Sequence, residues 1–122
     1  MTFVAGTALS AAALNDALSV DAPTTFTTSS PAGAGWYRFL LGGEEVEFHY
    51  VSSGNISSGT TVTLDFTMPA AYRPAEKTAI GAASSSTTKL GACVIDDVGA
   101  ITFYNGHTSS AVAYAHGKYK PA

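Results

Sequence analysis

The clearest pattern in the chain is an alternation of apolar and polar residues on either side of Gly42-Gly43. Tyr37 and Phe39 before the glycines, and Val46 and Phe48 after them, fall at every second position. Trp36, Arg38, Glu47 and His49 lie between. Period-two alternation puts one set on each face of an antiparallel hairpin, and two glycines supply the positive φ angles of a type I′ turn. If Leu41 pairs with Glu44, Phe39 opposes Val46 and Tyr37 opposes Phe48 on a buried face. Arg38 then opposes Glu47, and Trp36 opposes His49, on a wet face.

The same reading extends downstream. In 61–68 (TVTLDFTM), Val62, Leu64 and Phe66 alternate with Thr61, Thr63, Asp65 and Thr67, predicting a strand. A proline-bounded turn follows. Residues 78–83 and 90–95 read as strands separated by a loop at 84–88. The turn Asp-Asp-Val-Gly at 96–99 is expected to set Val94 opposite Ile101 and Ala92 opposite Phe103. A six-residue loop at 105–110 would then set Phe103 opposite Val112 and Ile101 opposite Tyr114. Residues 35–122 are thus expected to be mainly β, an antiparallel β-sandwich or jelly roll of about seven strands.

The N-terminal part has a different period. Ser10 is a good N-cap before Ala11, Ala12 and Ala13, and Leu9 and Leu14 occupy the two positions of a hydrophobic staple. Leu14, Ala17 and Leu18 continue one apolar face. A helix of about eight residues, roughly 12 Å long, is marginal in water by itself and needs a surface to lie on. Residues 1–18 are therefore expected to form an attachment helix, with Phe3, Leu9, Leu14 and Leu18 meeting a neighbouring subunit or particle. Residues 19–34 (SVDAPTTFTTSSPAGA) read as an extended Thr/Ser/Pro linker, in which Phe26 alternatively marks a short edge strand.

Composition narrows the function. Charged residues make up 12% of the chain, against about 25% in ordinary soluble domains. Such a surface is expected to be covered by copies of the chain or by a host particle. A net charge of −3 gives no basic stripe, so nucleic acid is not an expected partner. The single cysteine, Cys93, has no internal disulfide partner and reads as a small buried hydrophobe. The N-terminus lacks the signal-peptide pattern, and no apolar run approaches the ~20 residues of a membrane span. Synthesis in a reducing cytoplasm is expected.

Candidate chemistry is sparse. His49, His107 and His116 are the only histidines, and none is spaced with Asp, Glu or Cys as a metal cluster. Asp96-Asp97 reads as a turn cap in preference to a cation site. No Gly-x-Ser-x-Gly elbow occurs and no carboxylate pair flanks an evident cleft, so neither catalysis nor a cofactor is expected. Binding is more plausible. Trp36, Arg38 and His49 on the outer hairpin face, and Tyr104, Asn105 and His107 at a loop, are candidate receptor or subunit contacts, because an exposed aromatic ring buries much area at little entropy cost.

The opening FVAGTALSAAALN resembles a segment at the N-termini of bacteriophage minor tail and fibre proteins. The stretch VTLDFTMPAAYRPAEKTAIGAA, followed later by a turn and ITFY, is similar to the β-sandwich domains at the ends of such fibres, where a proline and then Tyr-Arg-Pro link two strands. The resemblance implies a virion structural protein, usually a homotrimer. Its N-terminus would join other virion subunits, and its sandwich would face outward, where a host-surface glycan is a candidate ligand. Fibres normally place a long shaft between anchor and tip, and here only a linker stands between them. The expected roles are therefore a short tail or fibre subunit, then a capsid decoration or head-fibre protein, and lastly a soluble carbohydrate-binding module.

Overall fold

Eight β-strands follow a short helix in the computed structural model, which describes residues 11–84 and 89–122. Helix α1 spans Ala11–Ala17. The strands are β1 (Thr24–Ser29), β2 (Ala32–Leu40), β3 (Glu45–Ser52), β4 (Thr61–Thr63), β5 (Thr78–Ser84), β6 (Lys89–Ile95), β7 (Ile101–Asn105) and β8 (Ala113–Tyr119). They form one curled antiparallel sheet, a half-barrel, in the order β1-β2-β3-β8-β5-β6-β7-β4. The chain is mainly β and antiparallel, as expected; eight strands stand where about seven were expected, and they run as one continuous sheet. Its two halves are joined because β5 pairs with β8 on one side and with β6 on the other.

The β2–β3 hairpin has the register that the alternation predicts, with Trp36 opposite His49, Tyr37 opposite Phe48, Arg38 opposite Glu47 and Phe39 opposite Val46. Gly42 (φ 65°) and Gly43 (φ 97°) take the left-handed conformation, and the Glu44 N–H donates to the Leu41 carbonyl at 3.3 Å. Leu41 is itself at φ 53°, so pairing stops at Leu40–Glu45, one step before the expected Leu41–Glu44 pair. Val46 and Phe48 are fully buried, whereas Phe39 is half-buried and stacks on Tyr72 with ring centroids 4.2 Å apart.

Within the segment at 19–34, the alternative marked by Phe26 is the one formed: an edge strand, β1, paired with β2 in place of a linker. Phe26 is buried against Phe48 and Tyr50. Thr28 donates to the Pro31 carbonyl and shares a 2.7 Å hydrogen bond with the Tyr50 hydroxyl. The alternation Phe26–Thr28 was legible, but it is short, and threonines on both sides mask it.

Curling brings the other end of the sheet round to β1. Strand β4 is only three residues long, against the eight-residue strand expected from 61–68. Beyond it the chain stays beside the end of β7 through the Leu64 N–H to the Ile101 carbonyl and the Met68 N–H to the Gly99 carbonyl. There Phe66 stacks on Phe26 at 4.1 Å, and the Asp65 carboxylate accepts from the Ser29 N–H and hydroxyl. Those hydrogen bonds hold the Asp65 carboxyl below its ordinary range.

Two expected registers differ from the structure. Cys93 faces Phe103 and Ile95 faces Ile101, one residue from the expected pairing. The turn here is odd-numbered: the Gly99 N–H donates to the Asp96 carbonyl, Gly99 sits at φ 85°, and the Asp96 carboxylate accepts from the Val98 and Ala100 N–H groups. The added residue is the glycine bulge of a three-residue hairpin loop, and a one-residue slip exchanges the faces. Cys93, Ile95, Ile101 and Phe103 consequently enter the core, and Ala92 is exposed. Strands β7 and β8 do not pair with each other. β8 lies between β3 and β5, burying Ala113 and Ala115 and turning Tyr114 outward beside Val51.

Candidate functional site

The outer face of β2, β3 and β8 gathers Trp36, Arg38, Glu47, His49 and His116. Cross-strand pairing creates the cluster. Arg38 lies opposite Glu47, while His49 lies opposite Trp36 on one side and His116 on the other. Arg38 donates from Nε to Glu47 Oε1 at 2.7 Å, with a second guanidinium nitrogen 2.7 Å from the same oxygen. His116 Nε2 is 3.1 Å from Glu47 Oε2. Glu47 is only 7% exposed although it is on the outer face, because these two side chains cover it. That face was expected to be evenly wet, and the buried carboxylate is the departure.

The rings extend the arrangement. The Arg38 guanidinium carbon lies 5.2 Å from the Trp36 ring centroid, within cation–π range. His49 stacks on Trp36 at 5.4 Å with planes 20° apart, and His116 meets both rings edge-on at 6.2 and 5.7 Å. Burial pushes the Glu47 carboxyl up, but hydrogen bonds from Arg38 and His116 and their charges outweigh it, leaving the carboxyl below its ordinary value. For His49, burial and then the neighbouring His116 lower the pKa from 6.5, against a smaller opposite pull from Glu47. His49 is therefore neutral at pH 7, with one ring nitrogen to donate and one to accept.

The other expected contacts are dispersed. Phe3 and Leu9, together with Ser10, lie outside the described residues. Leu14 and Leu18 are exposed, at 39% and 56%. Tyr104 and Asn105 belong to β7, four strands from β3 in the sheet order. Tyr104 is exposed, but Asn105 is fully buried and is not a surface contact. Its side-chain amide donates to the Ile56 and Ser109 carbonyls at 2.8 and 3.1 Å, and its side-chain oxygen accepts from the His107 N–H. His107 Nδ1 in turn accepts from the Ser109 N–H at 3.0 Å. This loop is held by its own hydrogen bonds and by the neighbouring 56–60 segment, where the Ser58 hydroxyl donates to the His107 carbonyl, and Asn105 is its structural anchor.

His116 is the member of the cluster that sequence reasoning missed. The alternation Tyr114, His116, Lys118 against Ala113, Ala115, Gly117 marks an outward polar set. Nothing local, however, shows that β8 docks beside β3. Cys93, buried and pushed up to about 12 by desolvation, has no role in a surface site. Among the described residues no three His, Cys, Asp or Glu side chains converge as a metal site requires, and no helix is long and apolar enough to cross a membrane. Comparison with protein-family models and with curated proteins finds no match.

Proposed function

We propose that this chain is a non-catalytic structural subunit of a phage-type virion, attached through residues 1–18 and presenting the outer face of its sheet on the particle exterior. The observation that carries this reading is an apolar patch at one end of the domain. Leu14, Leu18, Val20 and Leu41 are exposed by 39%, 56%, 54% and 44%. The segment after α1 is pinned to the β2–β3 turn by the Gly42 N–H to the Ser19 carbonyl and the Asp21 N–H to the Phe39 carbonyl, both at 3.1 Å. Four large apolar side chains held beside one turn favour a covering partner. Each, if fully buried from an exposed state, stabilises docking by about 1.5–3 kcal/mol.

A tail or fibre subunit that meets a host-surface receptor is the first form of this reading, with a homotrimer as the assembly unit. A capsid decoration or head-fibre subunit is the second, favoured because only residues 18–23 separate α1 from β1, leaving no room for a shaft. Changing Leu14 and Leu18 together to serine should abolish incorporation into particles while leaving the sheet's melting temperature nearly unchanged. Incorporation at the normal level, or a large fall in melting temperature, refutes an attachment role for the patch. Labelling the subunit on intact virions distinguishes tail from capsid. Light scattering should give about three times the 12.5 kDa monomer mass.

A further inference from the structure

A shallow groove runs along the outer face of β1, β2 and β3, beside the aromatic cluster. Trp36 and His49 border it, Ala34 is exposed within it, and Thr25, Thr27 and Ser53 bring hydroxyl groups to its margin. It holds about 640 Å³, within the roughly 300–1,000 Å³ of small-molecule sites. No Asp, Glu, Lys or Arg lines it. Arg38 and Glu47, the nearest charged pair, are committed to each other.

We infer that this groove binds a neutral sugar, with one pyranose ring against Trp36 and its hydroxyls hydrogen-bonded by His49 and the rim hydroxyls. The inference rests on the reading that the outer face is what the subunit presents. Three features select this ligand class. An uncharged lining offers nothing to compensate an anionic or cationic ligand, whose desolvation would then be unopposed. An indole supplies a flat apolar wall, which suits the C–H face of a pyranose. The hydroxyls of Thr25 and Thr27 both donate and accept, as a neutral imidazole does, and Ser53, whose hydroxyl donates to the Ala32 carbonyl, can accept; that capacity matches sugar hydroxyls. A lipid chain would leave these polar groups unpaired. The cross-strand geometry, with Arg38 over Trp36 and His49 stacked beside it, holds the indole in place before a ligand arrives and so lowers the ordering cost of binding.

Trp36 is the only tryptophan in the chain, so intrinsic fluorescence of the full-length protein reports on the groove directly. The probes are maltotriose, cellotriose, N-acetylchitotriose and a mannotriose, with sialyllactose as the charged comparison. At least one neutral trisaccharide should shift the emission saturably and protect the indole from acrylamide quenching. Ala34→Arg, which fills the groove, should weaken that binding about tenfold or more at an unchanged melting temperature. Val98→Arg, at an exposed turn residue outside the groove, should leave it unchanged. No saturable response to any neutral sugar overturns the inference, and so does a response to sialyllactose alone. A concentration-dependent emission change without sugar also overturns it, and identifies the face as a contact between copies. If Ala34→Arg protein enters particles normally and the wild type binds no sugar, the inference fails and the virion reading stands. If sugar binds and the wild-type chain never enters particles, the reverse holds.

Discussion

Replacing Arg38 with alanine tests whether the outer face of the sheet contains a buried carboxylate. Glu47 has a side chain only 9% exposed, and its two oxygens are occupied by Arg38 and by His116. Removing Arg38 takes away both nitrogen contacts at 2.7 Å and leaves the carboxylate dependent on His116, whose side chain is 52% exposed. A buried acceptor deprived of its partner costs about 1–3 kcal/mol, more when it is charged. An intact buried ion pair broken from one side costs about 3–5 kcal/mol. Arg38 is itself 30% exposed, so water reaches the vacated space, and the expected loss lies near the lower range, about 1–3 kcal/mol. Glu47→Gln keeps an acceptor for Arg38 and leaves a cation that water can solvate. It should cost less than about 1 kcal/mol. Urea unfolding of the two single variants and the double variant at neutral pH measures both costs and their coupling. The cost of Arg38→Ala should also shrink at acid pH as the carboxyl becomes neutral. Equal costs for the two single changes, or an Arg38→Ala cost under about 0.5 kcal/mol, would return Glu47 to solvent and refute the buried-carboxylate account.

Three further outcomes follow from the same geometry. Asn105→Ala should cost about 1–3 kcal/mol by urea unfolding, because it takes one of two donors from the buried Ile56 carbonyl and removes the partner of the part-buried Ser109 carbonyl and His107 N–H; a cost below about 0.5 kcal/mol would mean that the loop holds without it. His49 has a folded pKa below its ordinary 6.5, so the unfolded chain takes up its proton first. Its contribution to stability should be complete above about pH 6.5 and fall as pH drops below that value. His49→Gln should flatten the dependence of the urea midpoint on pH between about 7 and 5, and an unaltered slope would show that the burial of His49 has no such effect. Cys93, 2% exposed and with its thiol pushed up to about 12, should resist a thiol reagent near pH 8 in the folded protein and react on unfolding; rapid native labelling would contradict its place in the core.

The chain by itself determined those features that rest on neighbours in sequence. The β2–β3 register was legible because alternation on both sides of two glycines leaves one arrangement that buries Tyr37, Phe48 and Val46 together. Burial of Cys93 was legible from its apolar surroundings. Trp36, Arg38 and His49 could be assigned to one face for the same local reason. The β6–β7 register was not legible, because the conformation of Gly99 and the Asp96 carboxylate decided whether the loop was odd or even, and that parity decided which face was buried. Position in the sheet was less legible still. Only the tertiary structure set β8 between β3 and β5, and so delivered His116 to Glu47. It also curled the sheet until Asp65 reached Ser29 at the end of β1. These contacts join residues 36 and 69 positions apart. Alternation says which side of a strand is apolar but not which strand lies beside it, because that depends on how all eight share one core.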